Sequence, residues 1–337
     1  MTVNTVLGPV AADELGHVQP HEHLLADLRP YAPVDARDEE ITLQNCYRSR
    51  VDRDNRRDFV LDDADLAVTE LAAFRAAGGG TVVDATSGGL GRNPLGLRKI
   101  AERSGTHVVM GSGYYVAAFH PPEVATLSRD EITERIVADV TVGVDGVRAG
   151  IIGEIGLSWP PHPDELKVLD AAAAAQAHTG AALLIHPGRH VDAPIHHLER
   201  VIGAGGDPSR TIMAHVDRTL FAAESMVTLA ATGCVLEFDL FGTESSYYPQ
   251  DPSVDLPNDG MRVRWIAALI EAGFERQLLI SSDICRRTQL TRYGGEGYGH
   301  ILRRVLPLMR ARGISPAEID VITRRTPRRL LTLGGAA

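Results

Sequence analysis

The sequence predicts an α/β chain folded as a (β/α)8 barrel, and three observations carry that prediction. Eight short apolar runs recur along the 337 residues, separated by polar loops and amphipathic stretches. Most of these runs are rich in Val, Ile and Leu without polar alternation, as strands buried on both faces are. No low-complexity linker divides the chain, so a single barrel domain over residues 1–337 accommodates a length beyond the usual domain size. A doubly wound sheet would place a glycine-rich phosphate loop after its first strand. The nearest segment, GGLGRNPLG at Gly88–Gly96, follows the second run and lacks the required spacing.

The eight runs are Gly16–His21 (the weakest), Thr81–Asp84, His107–Gly111, Gly150–Glu154, Ala182–His186, Thr211–His215, Cys234–Asp239 and Leu278–Asp283. Helical periodicity marks Asp63–Ala77, Arg129–Val142, Asp164–His178, Phe221–Thr232 and Gly260–Ala272. Gly78, Gly143, Gly180, Gly233 and Gly273 follow these stretches as stops. The run Ala171–Ala175 lies inside a helical pattern and reads as close helix packing.

Composition narrows the function. A formal net charge of −10 argues against nucleic acid, which needs concentrated Lys and Arg. No apolar run has the length of a membrane span, and the first residues lack a secretory pattern, so a cytoplasmic protein is expected. Cys46, Cys234 and Cys285 are scattered, as reduced thiols are. The 34 basic residues include only two lysines, Lys99 and Lys167.

The chemistry lies where the runs end, because active sites of parallel barrels form at the C-terminal ends of the strands. The first run ends in His21-Glu22-His23, the fourth in Glu154, the fifth in His186, the sixth in His215 and the eighth in Asp283. Alternate strand residues point the same way, so His21 and His23 can face one ion. Imidazole and carboxylate without thiolate suit Zn²⁺, Mn²⁺, Fe²⁺ or Co²⁺. A lone histidine is more often a packing residue, but four histidines and two acids on one rim read as a metal centre. The remaining histidines, His17 and His107 among them, do not share this placement.

The motifs HEHL (Leu24 last), GEIG (from Gly153), LIHPG (to Gly188), AHVDR (to Arg218), SSDI (from Ser281) and GGEGYGHIL (Gly294–Leu302) resemble the phosphotriesterase family of the amidohydrolase superfamily over nearly the whole chain. SYYP (Ser246–Pro249) and the segment Asp283–Arg287 look closest to its phosphotriesterase homology protein branch. The resemblance implies a barrel with two divalent metals. His21, His23 and Asp283 would hold one ion, and His186 and His215 the other. Many members join the ions with a carboxylated lysine at the end of the fourth strand. Here Glu154 takes that place, and Lys99 and Lys167 lie in predicted helices. The implied nucleophile is a metal-bound hydroxide, with Asp283 accepting its proton and Tyr115 near the substrate oxygen. True phosphotriesterases carry a relay carboxylate where this chain has Arg218. Members are often dimeric, so a homodimer is expected.

Specificity is expected in the loops. Loop 24–62 carries Arg29, Arg48, Arg50, Arg53, Arg56 and Arg57, read mainly as solvated surface. Arg286 and Arg287 are the candidates for gripping an anionic group, and Tyr248 lies in a lid-like segment, Ser245–Asp259. The leading expectation is a hydrolase of lactones or small acyl esters, anionic ones included. Hydrolysis of phosphoesters or N-acyl amides is the alternative, and a non-catalytic small-molecule binder the third class.

Overall fold

A computed structural model describes residues 1–333; the last four residues of the expected 1–337 domain lie outside the described residues. Eight parallel strands form a (β/α)8 barrel: β1 (His17–Glu22), β2 (Gly79–Asp84), β3 (His107–Met110), β4 (Ile152–Gly156), β5 (Leu183–His186), β6 (Thr211–Met213), β7 (Val235–Phe238) and β8 (Leu278–Ile280). All eight coincide with expected runs to within a few residues. Ladder pairing joins β1, β2 and β3 in one sheet and β4 to β8 in another. Two seams close the ring. Between β3 and β4 the Gly150 and Gly153 amides donate to Met110 (3.0 Å) and Ser112 (2.6 Å) carbonyls. Between β8 and β1 the Asp283 amide donates to the His21 carbonyl (3.2 Å) and the His23 amide to that of Ile284 (3.0 Å).

Glu22 reinforces the second seam. Its buried carboxylate accepts the backbone amides of Ser282 (2.9 Å) and Ile284 (2.8 Å) and the Ser281 hydroxyl (2.8 Å). The middle residue of His21-Glu22-His23 therefore faces away from its neighbours and fastens the first strand to the last.

Strand residues divide between two cores. Val18, Val83, Val109, Ile151, Leu184, Ile212, Val235 and Leu279, one from each strand or its edge, fill the barrel interior. Val3, Leu15, Leu330 and Leu331 close its lower end. Their alternate neighbours, such as Val82, Val108, Ile185, Leu236 and Ile280, pack outward on the helices. This double burial is why the strands read as continuous apolar runs.

The helices begin where side chains cap them. Asp63 accepts the Asp65 (2.9 Å) and Leu66 (3.0 Å) amides at the start of α1 (Ala64–Ala76). α2 (Pro94–Ser104) carries Lys99, and α3 (Arg129–Thr141) opens with a capping box of Ser128 and Glu131. α4 (Pro163–Thr179) carries Lys167 and buries Ala171, Ala172, Ala173 and Ala175, small enough to admit close packing beside α3. α5 (Ala193–Gly203), α6 (Ala223–Ala230) and α7 (Asp259–Glu271) follow, with a further helical stretch over Ile301–Ala311. No helix among the described residues is long and apolar enough to cross a membrane.

His17, at the start of β1, turns outward against Phe74 of α1, and among the described residues its buried Nε2 has no hydrogen-bond partner. Burial, with the nearby Arg324 charge, pushes its pKa down from 6.5 to about 3. The unfolded chain therefore binds this proton first, so the contribution is whole above pH 6.5 and lost as pH falls towards 3. Urea unfolding at stepped pH should give a His17→Gln variant a flatter acid limb, by up to ~1.4 kcal/mol per pH unit. Parallel pH profiles for the two proteins would contradict this.

Candidate metal centre

The barrel's upper mouth gathers polar side chains from separate strands. On β5, β7 and β8 the interior alternation simply continues upward: Leu184 to His186, Val235 to Glu237 and Asp239, Leu279 to Ser281 and Asp283. On β1 and β4 the register shifts, between Gln19 and Glu22 and between Ile152 and Ile155. Such irregularities re-aim side chains, and here they bring His21 and Glu154 to the mouth. His215 and Asp283 sit in left-handed backbone, with φ of 54° and 45°. A side chain there costs on the order of 1–3 kcal/mol and persists only where the surroundings enforce it.

Glu154 is the hub. Its Oε2 lies 2.8 Å from His186 Nδ1, 3.6 Å from His21 Nε2 and 3.8 Å from His215 Nε2, and its Oε1 lies 3.3 Å from His23 Nε2. Two triads that could hold a metal ion share it: His21, His23 and Glu154, and Glu154, His186 and His215. Asp283 Oδ1 stands 3.4 Å from His23 Nε2 and 3.8 Å from His21 Nε2. All six expected ligand residues thus converge. Lys99 and Lys167 stay in helices α2 and α4, as expected.

Other residues fix which nitrogen each ring presents. Asp239 Oδ1 lies 2.7 Å from His215 Nδ1, and its Oδ2 lies 3.0 Å from His21 Nδ1 while also accepting the His215 amide (3.0 Å). The Thr86 hydroxyl donates to the Leu25 carbonyl (3.1 Å), so towards His23 Nδ1, 2.9 Å away, it accepts. With hydrogen on each Nδ1, His21, His23 and His215 turn bare Nε2 atoms to the centre. His21 Nε2 is buried with no hydrogen-bond partner of its own. That donor set fits divalent cations.

The electrostatics agree. Burial disfavours charge on His21, but Asp239, Glu154 and Glu237 outweigh it and raise the pKa well above 6.5. Burial likewise opposes, and Asp283 and Glu154 overcome it, pushing His23 up to about 10. Glu154 is held well below the carboxylate range although burial resists, by hydrogen bonds from His186, His21 and His215 in turn. His186 is lowered by burial and by His215. The cluster is an anionic hub that gathers positive charge, and metal uptake competes with protons.

The pocket above the centre is lined by Tyr31, Arg53, Tyr115, Arg189, Arg218, Tyr248, Gln250 and Arg286, with Glu154 and Asp283 the acids on its wall. The Tyr115 hydroxyl is 3.2 Å from His186 and accepts a hydrogen bond from Tyr31 (3.1 Å). Gly156, from the GEIG motif, lets that loop approach: a Cβ there would lie 2.3 Å from the Val116 nitrogen. Arg286 reaches the pocket but leans on Asp58 at 3.4 Å. Arg287 does not reach it. Its guanidinium turns outward to Asp62 (2.6 Å) and the Val60 carbonyl (2.8 Å), because adjacent residues of the loop point to opposite sides. Arg53 and Arg189, unsingled by the sequence, take the place expected of Arg287. Arg218 contacts His186 Nε2 (3.0 Å), and Asp217 pairs with buried Arg262 (2.7 Å).

Residues 1–331 match the Phosphotriesterase family. A phosphotriesterase-related protein of Nematostella vectensis is 41% identical over 341 residues, covering 97% of each chain. An N-acetyltaurine hydrolase of Salmo salar is 38% identical over 345 residues, covering 98% of this chain and 97% of the relative. The crystal structure of a resiniferatoxin-binding protein from Rhodobacter sphaeroides superposes with a TM-score of 0.93 at 36% identity, covering 98% of this chain and 94% of that one.

Replacing Asp239 by Asn puts an NH2 or a single oxygen where two imidazole N–H groups need acceptors. Titration with Zn²⁺ should show affinity lower by about 10–100-fold in Asp239→Asn. Wild-type affinity in that variant would remove Asp239 from the orienting role.

Proposed function

The chain belongs to the phosphotriesterase family of metal-dependent hydrolases, and on that premise we propose that it cleaves the amide bond of small N-acyl compounds whose amine half is anionic, N-acetyltaurine being the pattern. The observation that carries this reading is the pair of triads sharing Glu154 beneath a wall of four arginines. The triads suit hydrolytic chemistry on a carbonyl, the arginines suit an anion, and relatives at 38–40% identity are N-acetyltaurine hydrolases. His21, His23 and Asp283 would hold one divalent ion, His186 and His215 the other, with Glu154 between them; Zn²⁺ is our choice, and Mn²⁺, Fe²⁺ and Co²⁺ suit the same donors.

Bound there, divalent ions supply Lewis acidity and lower the pKa of a water towards neutrality. The side chains do the rest. Asp283, with Oδ1 beside His23 and its side chain 16% exposed, is placed to take the proton of the attacking water. The C–O bond forms as that proton is taken, and Asp283 then delivers it to the leaving nitrogen as the C–N bond breaks; the new carboxylic acid passes its own proton to the amine, giving a carboxylate and an ammonium. Burial, with the charges of Tyr31 and Glu154, raises the Tyr115 pKa well above 10, so its hydroxyl stays protonated and able to donate to a substrate oxygen. Arg218 beside His186, where a phosphotriesterase would use a relay acid, counts against phosphoesters.

Carboxyl esters and lactones are the second reading. They offer the same carbonyl, and Tyr115 in contact with His186 favours them as it does an amide. Zinc-loaded protein assayed with N-acetyltaurine, a neutral N-acyl amine, lactones and aryl esters separates the readings. Amide turnover that EDTA abolishes and divalent ions restore supports the proposal. Cleavage of lactones alone would replace it with the second reading, and metal binding without turnover on any of them would mark a binder.

Asp283→Asn should keep most of its metal yet lose at least ~10²-fold in kcat on whichever substrate is cleaved. Near-normal kcat would assign the proton transfer elsewhere.

A further inference from the structure

Loop 245–257 folds over the pocket after β7, burying Tyr248 and Leu256. Among the described residues, two hydrogen bonds tie it to the rest of the protein. Arg189 Nε donates to the Tyr248 hydroxyl at 2.7 Å, and Arg53 Nη1 donates to Gln250 Oε1. Both guanidinium groups lie against one ring, with carbons 5.6 Å (Arg189) and 5.5 Å (Arg53) from the Tyr248 centroid. Among the described residues neither forms an ion pair with a carboxylate, whereas Arg286 and Arg287 in the same region each have one. Arg53 Nε is buried with no hydrogen-bond partner.

Two cations sharing a phenol inside a pocket are held against their own repulsion and desolvation. The backbone adds to that cost: Arg53 ends the helix Cys46–Asp52 in left-handed conformation, φ 51°, which aims it inward. Both arginines line the same cavity as Glu154 and Asp283. An anion between them would neutralise the charge and use donors now partly unsatisfied.

We propose that Arg53 and Arg189, joined through Tyr248, form the subsite for the substrate's sulfonate or carboxylate end, and that a bound anion latches loop 245–257 over the centre. The proposal rests on the amide reading for the identity of the substrate but not for the anion. Burial and the charge of Arg286 push the Arg53 pKa down to about 9, the direction an uncompensated cation takes and an anion would reverse. The planar, multidentate guanidinium is the group suited to either oxyanion.

The test uses metal-loaded protein with two readouts. Calorimetry with pentane-1-sulfonate and pentan-1-ol should show the sulfonate bound more tightly, and Arg53→Met or Arg189→Met should each weaken it by about 10–100-fold. The ratio of kcat/KM for N-acetyltaurine over N-acetylpropylamine should fall by about the same factor, mainly through KM. Sulfonate should also slow proteolysis within 245–257, and Tyr248→Phe, which removes no charge, should lose most of that protection while the anion still binds. Metal content and unfolding curves establish that the variants are folded. Unchanged sulfonate affinity in both Met variants, or equal losses on the anionic and neutral amides, would overturn the subsite. If the variants lose sulfonate while wild type cleaves no amide, the subsite stands and the amide reading falls; the converse pattern leaves the amide reading and removes the subsite.

Discussion

One buried carboxylate, Glu154, lies against four imidazoles, and the rest of the mouth is arranged around that fact. A lone charge in a dry interior is strongly disfavoured, so Glu154 needs positive charge within a few ångströms. The four rings supply nitrogens rather than fixed cations, and the Nε2 atoms of His21, His23 and His215 face inward bare because Asp239 and Thr86 hold their opposite sides. Cations that accept lone pairs from nitrogen and carboxylate together satisfy this set; protons do so less completely, leaving His21 Nε2 without a partner. Even the closure of the barrel serves it, since Glu22 fastens β8 to β1 and so sets Asp283 over His21 and His23.

The strands were legible in the sequence because each is buried twice, against the interior layer and against the helices. The weakest run, Gly16–His21, is the one whose side chains do other work: Gln19 and Glu22 serve the seam and His21 serves the mouth. The ligand set was legible because metal-binding side chains stood at five strand ends, a coincidence that packing alone does not produce. Asp239 was placed at the mouth by its strand, but its simultaneous hold on two rings depends on rotamers that a linear pattern does not carry.

The wall of the pocket was far less legible. Loop 24–62 offers seven arginines of similar surroundings in sequence, and four of them, Arg29, Arg37, Arg48 and Arg57, form surface pairs with carboxylates. A left-handed residue after a two-turn helix singles out Arg53, and backbone conformation of that kind has no fixed sequence signal for arginine. Arg286 and Arg287 are neighbours in sequence with opposite fates, decided by which side Asp58 and Asp62 occupy. Chemistry here is built on strand ends and selectivity on loops, and the first has a periodicity to read while the second has none.

The proposed chemistry requires Glu154 to be shared by two cations. Diffraction from crystals grown with Zn²⁺, measured on both sides of the zinc absorption edge, tests it most directly. Two anomalous peaks, each within coordinating distance of a Glu154 oxygen and of histidine nitrogens, are the result expected. A single peak, or peaks that leave Glu154 outside coordinating distance, would contradict the claim.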